Sequence, residues 1–146
     1  MPNKIRLRVA TPDDVKFDDD VELIIVRAIT GDMGFLAHHE ANSAILDYGI
    51  LRILSDNNER RMAVFGGMSQ VHDNTVTIIA NDAQWPEDID VPAVKAERER
   101  LANKPQEELD ALEIKKDQIM MRRALLQLEV GGYQVSSRIQ HMENNE

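Results

Sequence analysis

The sequence predicts an all-β N-terminal sandwich followed by an antiparallel hairpin of two α-helices. Two observations carry this. From residue 4 to 80, short alternating or β-branched apolar runs recur at roughly ten-residue spacing, separated by turn residues. After Trp85-Pro86 the apolar spacing becomes helical, and no glycine occurs until Gly131. The expected division is therefore a sandwich over 1–86 and a helical hairpin over 87–146.

The first run, KIRLRV, alternates strictly: Ile5, Leu7 and Val9 share one face, and Lys4, Arg6 and Arg8 share the other. VELIIV at 21–26, GILRIL at 49–54, RRMAVF at 60–65 and TVTIIA at 75–80 continue the pattern. Turns are expected at Asp18–Asp20, Gly31–Gly34, Asp56-Asn57-Asn58, Gly66-Gly67 (a tight turn or a bulge) and Asp73-Asn74. In the second half, Asp88 or Asp90 suits an N-cap, and Pro92 is tolerated in the first turn of a helix ending near Asn103. Pro105 is expected to open a second helix, with Gln106, Glu107 and Glu108 at its positive end. Gly131-Gly132 reads as that helix's stop, followed by a fraying polar tail.

The second helix carries two apolar stripes side by side: Leu109, Leu112, Ile119, Met120, Leu126 and Val130, then Ile114, Met121, Leu125 and Leu128. The first helix offers only Val91, Val94 and Leu101 as sizeable apolar residues, too few to cover both. The hairpin must lean on the sandwich, bind a partner, or alternate between the two.

Composition removes several classes of function. There is no cysteine among the 146 residues, which excludes disulfides, thiolate catalysis and a cysteine zinc site. A net charge of −9 and only six aromatic residues argue against nucleic acid, which needs clustered cations and stacking platforms. No signal-like leader and no run of 18 apolar residues occurs, so a cytosolic protein without direct membrane insertion is expected.

The stretch TGDMGFLAHHE (30–40) poses the sharpest chemical question. Gly31-x-x-Gly34 lacks the Gly-Lys-Ser/Thr of a phosphate loop and precedes a strand-like FLA, so its glycines are read as turn formers. His38, His39 and Glu40 have ligand chemistry, but neighbours on a strand point to opposite faces, and a metal site would need His72 or a distant carboxylate. A metal-dependent jelly-roll hydrolase built on His38, His39 and His72 is the weakest alternative considered. The serines stand in no nucleophile motif, so no catalytic residue is assigned. Lys115, Lys116, Arg122 and Arg123 form a basic patch without helical acidic partners at Glu107, Glu108 or Asp110, which points to an external acidic partner or to nucleotide phosphates.

Taken in order, Gly31-Asp32-Met33-Gly34-Phe35 with His39, Gly49-Ile50-Leu51-Arg52-Ile53, Gly66-Gly67, Val76-Thr77-Ile78, Asp88-Ile89-Asp90 and Arg123-Ala124 with Leu128 resemble the epsilon subunit of the rotary ATP synthase. The resemblance spans about residues 4 to 130. It implies a non-catalytic central-stalk subunit, peripheral on the cytoplasmic face of the cell membrane. Its sandwich would bind the gamma subunit and the rotor ring, with Thr30, Gly31, Asp32, Met33, Gly34 and His39 at the ring. Its hairpin would set Lys115, Lys116, Arg122 and Arg123 against the catalytic alpha/beta subunits and block ATP hydrolysis. Two departures stand out. Ala37-His38-His39-Glu40-Ala41-Asn42 replaces the family's Pro-Gly-His-Ala-Pro-Leu. Leu112 to Asp117 replaces the apolar-Asp-x-x-Arg-Ala motif of ATP-binding members. An ATP site on Glu113, Lys116 and Arg123 would be weak, because lysine lacks the planar fork of arginine and Asp117 adds negative charge. No other cofactor is implied. The reading from another class is a free-standing β-sandwich binding module with a helical dimerisation hairpin.

Overall fold

The computed structural model describes residues 3–105 and 109–144, and divides the chain into two compact units, Met1–Gln84 and Trp85–Glu146. The first unit contains β1 (Ile5–Ala10), β2 (Val15–Val21), β3 (Leu23–Ala28), β4 (Gly31–Leu36), β5 (Asn42–Ser55), β6 (Asn58–His72), β7 (Thr75–Ala80) and β8 (Ala83–Gln84). Their hydrogen-bonded order is β2-β1-β7-β6-β5-β3-β4, with β8 beside β6. All pairs are antiparallel except β1 with β7. The alternation of KIRLRV appears as expected, with Ile5, Leu7 and Val9 fully buried. With Ile24, Phe35, Leu51, Met62, Phe65, Val76 and Ile78 they make the core of the sandwich.

Three turn expectations are corrected. Asp18–Asp20 lies inside β2 and not in a turn. The reason is cross-strand charge: Arg6 is opposite Asp20 and Arg8 opposite Asp18, and the Arg6 guanidinium reaches Asp18 at 2.9 Å and Asp20 at 3.5 Å. The β3–β4 turn is Ile29-Thr30, so Gly31–Gly34 belongs to β4, where Gly31 supplies a φ of 125° just after the turn. Gly66-Gly67 is neither a hairpin turn nor a break in the β5 register. It is a kink inside β6, with φ of 78° and 140°, which passes the strand from pairing with β8 at Ala63 and Val64 to pairing with β7 from Gly67 onward. The other two turns are where expected, except that Asn58 already begins β6. Asp56-Asn57 and Asp73-Asn74 are two-residue loops with positive φ at both positions, the twist that matches a hairpin.

Among the described residues, one buried residue is polar. Ser69 on β6 is 1% exposed, and its hydroxyl has no hydrogen-bond partner. Burying an unpaired hydroxyl costs roughly 1–3 kcal/mol. Ser69→Ala is therefore expected to leave stability unchanged or raise it by about 1 kcal/mol. Urea unfolding of the two proteins checks this, and a clear loss on substitution would mean that the hydroxyl is satisfied.

The second unit opens with one 3-10 turn (Pro86–Asp88), then α1 (Val91–Asn103) and α2 (Ala111–Asn144). Asp90 caps α1, accepting from the Ala93 amide at 3.1 Å, with Pro92 in the first turn as expected. Pro105 does not open α2. Asp110 does, accepting from the Glu113 amide through its side chain (2.8 Å) and from the Ile114 amide through its carbonyl (3.1 Å). A capping carboxylate fixes a helix start more strongly than a tolerated proline. The expectation for Gln106, Glu107 and Glu108 lies outside the described residues. Gly131-Gly132 does not stop α2, and the backbone stays helical through the segment expected to fray, as far as Asn144. A glycine inside a helix costs only about 1 kcal/mol against alanine, too little to end a helix that has other reasons to continue. Leu112, Ile119, Met120 and Leu125 remain exposed, in line with the poverty of α1.

Candidate docking surfaces

β4 separates two features that stand close together in the sequence. At one end is the Ile29-Thr30 turn, with Thr30, Gly31, Asp32 and Gly34 exposed, Met33 half-buried, and Asp32 3.5 Å from the Arg27 guanidinium. Beyond the other end is the turn that holds His38 and His39. Thr30 and His39 stand at opposite ends of this six-residue strand, about 20 Å long, while the His39 ring packs against Phe35, the residue after Gly34.

The histidine turn is clamped by Asn74. Its side-chain oxygen accepts from the His38 amide (2.7 Å), its side-chain nitrogen donates to the Lys4 carbonyl (2.9 Å), and its own carbonyl accepts from the Arg6 amide (3.1 Å). His38 takes a φ of 62°, so the argument from strand faces does not apply to this pair. His39 stands edge-on to Phe35, with ring centroids 5.0 Å apart, and its Nδ1 donates to the Glu40 carbonyl at 2.8 Å. His72 lies 2.9 Å from Asp73 on another turn. Among the described residues, no three potential ligands come together to hold a metal ion.

A surface that sequence reasoning missed is more extensive. Ile45 is opposite Met68, Met68 is opposite Ile79, and the Ile29 amide donates to the Ile45 carbonyl at 3.0 Å. These four residues, 63%, 57%, 42% and 54% exposed for Ile29, Ile45, Met68 and Ile79, form an apolar ladder across neighbouring strands. The row beside it, Ser43, Gln70 and Thr77, is uncharged and meets a charge only at Arg8. In a chain with 29% charged residues and a net charge of −9, this uncharged stretch is a candidate docking surface. A signal existed: Ile45-Leu46 and Ile78-Ile79 place large apolar groups on both faces of their strands.

On α2 the four predicted cations divide. Successive residues turn by about 100°, so Lys116 and Arg123, seven apart, share one side, while Lys115 and Arg122 share another. Glu113 falls within about a quarter turn of Lys116 and Arg123. Lys115, Lys116 and Arg122 are exposed and Arg123 is half-buried. Asp117 is engaged by Lys104 at 3.1 Å. On α1, two hydrogen bonds from Arg100, at 2.7 and 3.0 Å, hold the Glu97 carboxyl below the usual carboxylate range. In the sandwich, burial would raise the Glu59 carboxyl, but Arg52 and Arg61 outweigh it and hold Glu59 low.

The family model for the β-sandwich domain of the ATP synthase delta/epsilon chain matches residues 4–86. The ATP synthase epsilon chain of Caldicellulosiruptor saccharolyticus is 35% identical over 127 residues, covering 87% of this chain and 93% of its own length. That of Alkalihalophilus pseudofirmus is 36% identical over 129 residues, covering 88% and 97%. The chain belongs to the ATP synthase epsilon-chain family. Among solved structures, a chain of the Euglena gracilis mitochondrial ATP synthase, in an OSCP/F1/c-ring structure, superposes with a TM-score of 0.72 at 26% identity, covering 84% of this chain and 78% of that one. An epsilon chain is a non-catalytic subunit type. The turns, ladder and cations above are accordingly surfaces of an epsilon chain.

Proposed function

We propose that this epsilon chain is a central-stalk subunit of a rotary ATP synthase that couples the rotor ring to gamma and restrains ATP hydrolysis through its hairpin. The observation that carries the coupling role is the exposed apolar ladder Ile29–Ile45–Met68–Ile79, a face suited to a protein partner, which we assign to gamma. The ring contact in this reading is the stretch from Thr30 to Gly34, with His39 beside it against Phe35. In this reading the chain is peripheral on the cytoplasmic face of the cell membrane, held there by its partners in the complex.

The restraining role rests on α2. Lys115, Lys116, Arg122 and Arg123 oppose an acidic segment of the catalytic subunits when the hairpin extends, and the exposed Leu112, Ile119 and Met120, which share one stripe, give it an apolar face for the extended state. ATP on the hairpin is no part of this reading, because Lys116 stands in place of the forked arginine.

Affinity purification of the native complex with identification of its subunits tests the assignment, and gamma, ring and catalytic subunits are expected together. Recovery of a homodimer without gamma would favour the free-standing module. Deleting residues 87–146 is expected to leave assembly intact and raise ATP hydrolysis several-fold. Unchanged hydrolysis in the truncated complex would remove the restraining role.

A further inference from the structure

We propose that Gly131 is a notch that sets the register of the closed helix pair and holds α1 against α2. An ideal Cβ built on Gly131 would lie 2.8 Å from Val91 Cγ2 and 4.0 Å from Ile89 Cγ2. The first is closer than carbon atoms pack, so Val91 occupies space that only glycine leaves open. Val91 has little freedom to retreat. It is β-branched, it follows the capping Asp90 and it precedes Pro92, whose φ is fixed.

A second contact fixes the other end. Lys104, at the C-cap of α1, reaches Asp117 on α2 at 3.1 Å, with the side chains 33% and 18% exposed. Val91 to Lys104 spans 13 positions and Asp117 to Gly131 spans 14, so the two contacts agree on one antiparallel register. Ala124, 2% exposed, stands midway between Asp117 and Gly131 at seven-residue intervals. That spacing keeps all three on the same side of α2 and leaves small side chains where α1 comes nearest. On α1 the less exposed residues, Val91, Val94, Glu97, Leu101 and Lys104, recur at helical spacing along the complementary face. The ion pair sets the turn end of the hairpin, and the notch sets the open end.

The functional consequence rests on the restraining role proposed above. An element that must leave its closed state needs a closed state of limited, defined strength. A notch filled by one valine is such a device, because a single methyl group on α2 removes it.

The test uses the full chain with Gly131→Ala, Val91→Ala and the double variant, read by amide hydrogen exchange of α1. Helix propensity alone says that Gly131→Ala strengthens α2. The notch says the reverse for the pair: α1 amides are expected to exchange about tenfold faster, while circular dichroism shows no loss of helix. Adding Val91→Ala removes the clashing methyl and is expected to bring exchange back toward the parent value. Unchanged or slower exchange in Gly131→Ala, or failure of the second substitution to restore it, would overturn the notch. Hydrolysis by the assembled complex is read separately. If α1 opens as expected and hydrolysis does not change, the notch stands and the restraining role fails.

Discussion

Replacing Met68 and Ile79 together by glutamate is expected to weaken docking of the sandwich on gamma by about 100-fold or more while the chain stays folded. The magnitude follows from solvation. Each of these side chains, 42% and 54% exposed in the single chain, adds roughly 1–2 kcal/mol when a partner covers it. A carboxylate buried in its place without a counter-charge adds a desolvation penalty of similar or larger size. The apolar loss alone, about 3 kcal/mol for the pair, is roughly two orders of magnitude in dissociation constant, and the carboxylates add to it. Stability should be little affected, since exposed positions away from caps and special backbone geometry usually tolerate substitution within about 0.5 kcal/mol. Val15→Glu, at an exposed apolar position on the edge strand β2, is the control and is expected to bind within a few-fold of the parent. Titration of purified gamma, or its co-purification, gives the readout. Binding of the double variant at parental strength would remove the ladder from the interface. An apolar contact also predicts weak dependence on salt, in contrast to the basic residues of α2.

Most of the strand pattern was legible because alternation is a local property. Ile5, Leu7 and Val9 announce a buried face whatever pairs with them, and Asp56-Asn57 and Asp73-Asn74 carry their turn geometry in residue type. The failures share one cause, which is that the deciding partner is distant in sequence. Asp18–Asp20 looks like a turn until Arg6 and Arg8 are placed opposite it. Gly131 looks like a helix stop until Val91 is placed against it. Thr30 and His39 are likewise nine positions apart, a short distance in sequence but a full strand length in space. The ladder was missed for the complementary reason. An outward apolar residue is unremarkable on one strand, and only the register of β5, β6 and β7 makes Ile45, Met68 and Ile79 neighbours.

Gly67→Ala is expected to be the most damaging single-atom addition in the sandwich, costing about 3 kcal/mol or more. An ideal Cβ there would lie 2.2 Å from the Ile79 carbonyl oxygen and 2.7 Å from the Ala80 Cα. Both are backbone atoms of β7, the strand hydrogen-bonded to this part of β6, so relief requires parting two strands and not turning a side chain. The φ of 140° adds strain for any residue with a side chain. Gly31→Ala separates the two contributions. It shares the positive φ, at 125°, but nothing lies within 4 Å of its Cβ, so it should lose only about 1 kcal/mol. Urea unfolding of both variants in the full chain measures the difference, and equal losses would mean that β7 yields easily and the close approach is unimportant. The result bears on function through geometry. Met68 follows Gly67 directly, and the kink at Gly66-Gly67 passes β6 to its pairing with β7. A variant that folds by displacing β7 would break the Met68–Ile79 step of the ladder. It should then lose gamma binding in proportion to the displacement, even where the contact residues themselves are unchanged.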